Sequence, residues 1–253
     1  PPPFDVLVPY NVWLMVVFIS GISFLGYVLI KAVGPRRGVG LTGILGGMAS
    51  STAVTLSFSQ RSHDAPDLAR PFALAIILAW AIMFIRVLVE VAVLNRPLLG
   101  VLWKPIGAAL LVGALYGGYL YWAHPAEAQE EPDDFKNPFE LGPAIAFGVL
   151  YAIMLVAANA ARSYFGNAGI YVSSFASGLA DVDAITLSMA QLSQPDGQVA
   201  VPTAARAIVL AAVANTLVKG GIVLAAGTRA LRPYVLPGAL LMLGTALGVA
   251  VLL

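Results

Sequence analysis

The sequence has no cysteine, only two histidines and few charged residues. Without cysteine it cannot form disulfides, thiolate metal sites or cysteine nucleophiles, and cysteine usage leaves the redox compartment undetermined. Charged residues make up 11% of the 253 residues, whereas a soluble domain carries about 25%. Hydrophobic residues make up 59%. This balance predicts a polytopic membrane protein whose main partner is the lipid bilayer, and we expect no nucleic-acid partner.

The sequence also lacks familiar catalytic arrangements. It contains no HExxH or GxSxG motif, and its two histidines, His63 and His124, lie in predicted loops outside the hydroxyl-rich segments. An intramembrane aspartyl protease needs two facing carboxylates, but the candidates Asp181 and Asp183 lie two residues apart on one segment. We therefore predict that the protein is not an enzyme and has no cofactor, unless a bound cation is counted as one.

Long apolar runs dominate the sequence. A helix needs about 20 apolar residues to cross a bilayer, and no alternating β-barrel pattern is present. The predicted fold is therefore an all-α polytopic membrane protein of about eight transmembrane or partly re-entrant helices. The runs cover residues 12–33, 40–59, 71–94, 98–122, 141–161, 169–192, 202–226 and 233–253.

The chain repeats itself with an offset of 131 residues. GMASSTAVTLSFSQ at 47–60 falls on GLADVDAITLSMAQ at 178–191, with seven of fourteen positions identical, and Pro71 falls on Pro202. We therefore predict two homologous four-helix repeats with a pseudo-two-fold relation. Residues 1–123 form the first membrane repeat, 124–138 an acidic solvated linker, and 139–253 the second membrane repeat.

Loop charges bear on the orientation of these helices. With eight spans and an outside N-terminus, the inner side holds eight basic residues and the outer side four. A re-entrant arrangement, with three spans per repeat and inverted repeats, gives the same eight-to-four split. The cleaner separation of acids from bases favours eight spans and parallel repeats. The chain opens PPPFDVLVPY with no signal-peptide pattern, and we expect it to be part of a longer protein.

The two hydroxyl-rich segments carry the candidate site. Their hydroxyls either bond neighbouring helices together or line a pathway near the pseudo-two-fold axis. Oxygen ligands without cysteine suit a hard cation such as Mg²⁺. The predicted pathway residues are Ser50, Thr52, Thr55 and Ser57 in the first repeat, and Asp181, Asp183, Thr186 and Ser188 in the second.

The two aspartates are also the tentative metal ligands. On a regular helix Asp181 and Asp183 point to different faces, so they would not share one ion. Alternatively, Gly178 breaks the segment, and Asp181 becomes the N-cap of a helix that starts at Val182. Such capping would explain both acids without transport, and it is also how a broken transporter helix is built.

Other ionisable side chains inside the predicted spans are candidates by default, because an unpaired charge in hydrocarbon is costly. Arg86 and Glu90 are four residues apart and either pair with each other or leave Arg86 to an aspartate across the bundle. Asn215 and Lys219 have the same spacing in the equivalent helix. Lys219 lies near a helix end, so we expect its ammonium to reach the membrane interface.

Several stretches resemble a bacterial family. They are ISGISFLGY at 19–27, LTGILGGMASSTAVTLSFSQRS at 41–62, NPFELGPAIAFG at 137–148, SGLADVDAITLSMAQL at 177–192 and AARAIVLAAVANTLVKGG at 204–221. The chain resembles the C-terminal membrane domain, domain of unknown function 4010, of MgtC/SapB-type inner-membrane proteins. The resemblance implies a multi-pass protein of the bacterial inner membrane, an MgtC-like domain ahead of this one, and a link to magnesium. It assigns no catalytic or ligand residue.

Two functions are consistent with these features. The first is a channel or transporter for a small cation, divalent and first of all Mg²⁺, whose path the two Ser/Thr/Asp-rich helices line. The second is a regulatory or assembly module that transports nothing and packs with an MgtC-like domain or another membrane protein. In either case we expect a homo-oligomer or a complex with an MgtC-like domain.

Overall fold

The computed structural model describes residues 7–33, 39–122, 141–195 and 197–252, and the described residues form helices and loops. The described residues contain eight α-helices, as predicted in number, but the predicted sixth helix, 169–192, is divided between two of them; a short 3₁₀ turn at Pro66–Leu68 precedes the third. Seven of them are long and apolar enough to cross a membrane. The helices are α1 Pro9–Val33, α2 Val39–Arg61, α3 Ala69–Leu94, α4 Arg96–Trp122, α5 Leu141–Ala180, α6 Val182–Leu192, α7 Val201–Ala226 and α8 Arg232–Ala250.

The boundary between the fifth and sixth helices differs from the prediction. We expected a loop after residue 161, but α5 continues to Ala180 and bends at Gly166. Gly166 has φ +59°, a conformation that glycine adopts without steric cost. The bend divides α5 into two helical segments, 141–165 and 167–180. The predicted acidic linker, 124–138, lies outside the described residues.

Helix α2 is a helical hairpin that turns at Ser50. Ser50 has non-helical backbone angles, φ −163° and ψ 105°. Before this residue, successive residues of α2 contact positions progressively closer to the C-terminal end of α3. Gly43 packs on Ala75, Gly47 packs on Ala79, and the Met48 carbonyl accepts a hydrogen bond from Arg86. After this residue, the contacted positions move back toward the N-terminal end of α3. Thr55 accepts a hydrogen bond from Trp80, and Phe58 packs against Phe72. The two limbs of α2 therefore lie side by side on α3, and both open toward the N-terminal end of α3.

A second hairpin consists of residues 167–180 and α6, and it turns at Asp181. Its outgoing limb, α6, runs along α3 toward the C-terminal end of α3. Asp183 forms an ion pair with Arg86, and the Ala190 carbonyl accepts a hydrogen bond from Asn95, just beyond α3. Its outer ends meet, because Arg162, just before the bend, donates to Gln198, just beyond α6, at 2.6 Å. The two hairpins therefore enter the bundle from opposite sides and point their tips toward each other.

These contacts make the eight-span arrangement wrong. Eight spans would place residues 62–65 and the α7–α8 loop on opposite sides of the membrane. In the structure the Thr228 amide donates to Ser62 Oγ at 3.0 Å. Eight spans would likewise separate Asn95 from Ser193, yet the Asn95 amide donates to Ser193 Oγ at 3.1 Å. Hydropathy misses the hairpins because two apolar half-helices of about ten residues have the same composition as one span.

Helices α3 and α7 form the centre of the molecule and are its most buried spans. Each packs against a hairpin, and α2 also reaches α7 while α6 reaches α3. Small residues permit the close approach, since Gly47 lies on Ala79 and Gly178 lies on Ala211. This central pair carries the buried charges described next.

Candidate functional site

The tips of both hairpins are capped by their own side chains. At the first tip Ser50 Oγ accepts from the Ala53 amide at 3.2 Å. At the second, Asp181 has extended backbone and its Oδ1 accepts from the Ala184 amide at 2.8 Å. The predicted N-cap role of Asp181 ahead of Val182 is confirmed, and the alternative of one regular helix through Asp181 and Asp183 is wrong. Each tip thus presents the N-terminus of a half-helix to the bundle centre.

The carbonyl ends of the incoming limbs are bound by polar side chains of the central helices. Arg86 Nη1 on α3 donates to the Met48 carbonyl at 3.0 Å. Asn215 Nδ2 on α7 donates to the Gly178 carbonyl at 3.1 Å. These are the helix C-termini whose carbonyls have no partner inside the helix. Arg86 and Asn215 therefore hold the two broken helices in place.

Arg86 also forms an ion pair with Asp183. Both side chains are about nine-tenths buried. The predicted pairing of Arg86 with an aspartate across the bundle is confirmed, and the pairing with Glu90 is not the one formed. Glu90 is fully buried beside Asp183, and among the described residues its carboxyl group can form a hydrogen bond only by sharing a proton with the Asp183 carboxyl group. Arg86 is thus the side chain that links the two hairpin tips.

Lys219 lies at the centre of the bundle. It is fully buried, and its Nζ donates to Ser51 Oγ at 2.7 Å and to Met83 Sδ at 2.8 Å. Our expectation that Lys219 reaches the membrane interface is wrong, because the fold places α2 and α3 between its ammonium and the surface. The Asn215 side chain donates to the Gly178 carbonyl of the second hairpin rather than pairing with Lys219.

A cavity of about 260 Å³ lies between the two tips. Of the predicted pathway residues it brings together Ser50, Thr52, Asp181 and Asp183, and Arg86 and Asn215 line it as well. Our sequence reasoning missed Ser20, Ser23 and Ser51, which add hydroxyls to its wall. Ser20 and Ser23 are three residues apart on α1, so their common helix face was a readable signal that we did not use.

The other predicted pathway residues lie away from this cavity. Thr55 is buried, donates to the Ser51 carbonyl at 2.7 Å and accepts from Trp80 Nε1 at 2.8 Å. Ser188 is buried and donates to the Ala184 carbonyl at 2.8 Å. Thr186 is also buried, and Ser57 is not among the residues that line the cavity. Beyond the tips, the hydroxyls of Thr55 and Ser188 therefore bond within and between helices.

The donor set at the cavity is made of oxygens. Among the described residues, no three or more His, Cys, Asp or Glu side chains are grouped to hold a metal ion. Asp181 is partly exposed at the cavity, whereas Asp183 reaches it already paired with Arg86. A cation here would meet one available carboxylate, several hydroxyls and water, which suits a hard cation that keeps part of its hydration shell. The tentative metal site of two aspartates stays a prediction.

Comparison with known proteins gives a family but no activity. A family model described as "Domain of unknown function (DUF4010)" matches residues 17–227. An uncharacterized protein of Aquifex aeolicus (strain VF5) is 39% identical over 200 residues, which cover 78% of this chain and 85% of that protein. No solved structure matches the chain. The matched region includes both hairpins and the two central helices.

Proposed function

Because this chain belongs to the family described as domain of unknown function DUF4010, its role has to come from its own geometry, and we propose that it is a membrane transporter for a small cation. The observation that carries the proposal is the cavity between two oppositely directed hairpin tips, with Asp181 facing it. Broken helices whose ends meet near the bilayer centre are the usual binding sites of secondary transporters. Their half-helix ends supply amides and carbonyls that a continuous helix keeps for itself.

The internal repeat supports the same proposal. The 131-residue offset pairs Ser50 with Asp181, the two residues that cap the hairpin tips. It also pairs α3 with α7, the two central helices. Since the paired hairpins enter from opposite sides, the two repeats are inverted about a pseudo-two-fold axis in the membrane plane. Inverted repeats of this kind permit alternating access by movement of one half against the other.

The charges at the centre favour a cation over an anion. Three acids lie there, Asp181, Asp183 and Glu90, and two bases, Arg86 and Lys219. The acids therefore outnumber the bases by one. An excess of buried carboxyl groups is offset by a bound cation more readily than by an anion.

Mg²⁺ is the first ion to test. Hydroxyl, carbonyl and carboxylate oxygens match its preference, and it is bound by one or two carboxylates while it keeps several waters. The cavity volume of about 260 Å³ holds several waters of about 30 Å³ each. Asp181 is the first ligand in this proposal, because Asp183 already balances Arg86.

Uptake into proteoliposomes tests the function. We expect Mg²⁺ uptake above that of protein-free vesicles, and Asp181→Asn should reduce it about tenfold or more, because the available carboxylate is lost. Asp67→Asn, which neutralises an exposed acid outside the helices of the site, should keep uptake within about twofold. Unchanged uptake in Asp181→Asn removes the role of Asp181. Uptake of none of Mg²⁺, Na⁺, K⁺ or protons removes the transport proposal.

Localisation and partners form part of this proposal. We place the domain in the bacterial inner membrane, with the α7–α8 loop on the cytoplasmic side, because Arg229 and Arg232 lie there together with most basic residues. An MgtC-like domain and a second copy of the chain are the expected partners. Isolation of a stable complex that shows no ion flux would instead favour the assembly module.

A further inference from the structure

Lys219 is a buried cation without a carboxylate partner among the described residues. Its side chain is fully buried, and among the residues that the structure describes its Nζ donates to the hydroxyl of Ser51 and the thioether of Met83. An ammonium has three donors, and a thioether accepts only weakly. A buried ammonium with one oxygen partner is costly, so its charge depends on what surrounds it.

The position of Lys219 ties it to the cavity. Ser51 and Met83, its two partners, both line the cavity, so Lys219 lies directly behind this wall. Ser51 is also the first residue after the first hairpin tip. The start of a helix carries partial positive charge, which opposes an ammonium beside it. The acids at the second tip and the accepting hydroxyl of Ser51 favour the charged form.

The charged groups around Lys219 come from two neighbouring elements. Asp181 and Asp183, at the second tip and on α6, attract its ammonium, and Arg86 on α3 repels it. Glu90 also lies on α3, beside Asp183. Helix α2 presents the Ser51 hydroxyl to it. A cation bound at Asp181 would weaken the attraction of that acid and add repulsion, so that the ammonium would depend on the Ser51 hydroxyl and on Asp183, which is already paired with Arg86.

We propose that Lys219 couples transport to protons: binding of a cation at the hairpin tips releases the ammonium proton of Lys219, so that the protein exchanges one proton for one cation. This inference rests on the proposed transport function. In the exchange one N–H bond of Lys219 breaks, its electron pair stays on Nζ, and the proton passes by way of the Ser51 hydroxyl to water in the cavity. When the cation leaves, Nζ takes up a proton again.

Proton release during cation binding tests the coupling. MgCl₂ and, separately, NaCl are titrated into the purified full chain in weakly buffered detergent solution, with a pH indicator for protons and calorimetry for binding. We expect about one proton released per cation bound. Lowering the pH should weaken binding, because the ammonium form is then favoured and competes with the cation.

Three variants locate the proton. Lys219→Arg carries a charge that cannot be removed, so proton release should vanish and binding should weaken about tenfold or more. Lys219→Gln should bind the cation without proton release and without pH dependence. Lys104→Gln removes an exposed lysine as the matched control and should release protons like the wild type.

Several results would overturn the coupling. Cation binding by the wild type without proton release removes it and leaves the transport proposal intact, whereas no cation binding at all removes both. Release that persists in Lys219→Gln but disappears in Glu90→Gln assigns the proton to Glu90. If the Lys219 variants fail to fold, Ser51→Ala decides. Loss of its hydroxyl should move the pH dependence of binding about one unit lower, and an unchanged profile contradicts the proposal.

Discussion

Arg86 is the residue on which both hairpins depend. Its guanidinium binds the last carbonyls of the first incoming limb and the carboxylate of Asp183 after the second tip. A planar guanidinium with five donors can serve both partners at once, which a lysine ammonium cannot do in the same geometry. The shape of the cavity therefore depends on one side chain of α3.

Replacement of Arg86 should be costly. Arg86→Gln leaves the Asp183 carboxylate buried without its counter-charge, so we expect a loss of about 3–5 kcal/mol in the free energy of unfolding. The measurement is an unfolding titration in denaturing detergent. Arg86→Gln combined with Asp183→Asn should lose less than the sum of the two single changes, because no charge then stays unpaired. Additive losses would mean that the two side chains do not interact.

Among the elements, the hairpins differ from spans by their close packing on the central helices. Each is a pair of short half-helices, and a half-helix of about ten residues is marginal by itself. Glycine at the contact permits backbone-to-backbone approach, as at Gly47 on Ala79 and Gly178 on Ala211. The hairpins are therefore stable only while they lie on α3 and α7.

A single methyl group at this contact tests that packing. In Gly47→Ala the new Cβ would lie 2.7 Å from the Ala79 Cα, which belongs to rigid backbone. We expect a loss of about 1–3 kcal/mol, seen as a lower thermal unfolding midpoint in detergent. Gly100→Ala in α4 is the control, because nothing lies within 4 Å of the added Cβ. Equal midpoints for both variants would show that the hairpin does not pack closely on α3.

At the scale of the whole molecule, the direction of the hairpins sets which loops share a side of the membrane. Residues 62–65 lie with the α7–α8 loop, where the Thr228 amide reaches Ser62. Residues 193–200 lie with the start of α4 and the bend at Gly166, as the contacts of Asn95 and Arg162 show. The hairpins thus leave three full spans in each half of the chain.

Single cysteines test this topology directly, because the sequence contains none of its own. His63→Cys, Gln198→Cys and Ala230→Cys replace exposed loop residues. A membrane-impermeant maleimide should label residues 63 and 230 from one side and residue 198 from the other. Eight spans would instead place residues 63 and 198 together and residue 230 opposite. The cysteine-free parent should stay unlabelled.

Much of the site was within reach of sequence reasoning, but its pairings were not. Ser50 and Asp181 were prominent because polar residues in apolar segments are rare, and capping at Asp181 followed from its residue type and position. The partner of Arg86 was ambiguous, since Glu90 four residues along the same helix satisfies the same rule as an aspartate across the bundle. Lys219 was misjudged because distance from a helix end says nothing about which helices cover it.

The sequence by itself determined that the chain spans a membrane, most of its apolar helices and the polar residues of both hairpin tips, because these depend on local composition and on residue type. Only the tertiary structure decided that α2 and α6 turn back rather than cross. That choice depends on which faces pack on α3 and α7, which no local pattern records. The tertiary structure also decided that Arg86 pairs with Asp183 and that Lys219 is buried. A buried charge is paired with whichever group the fold brings within reach.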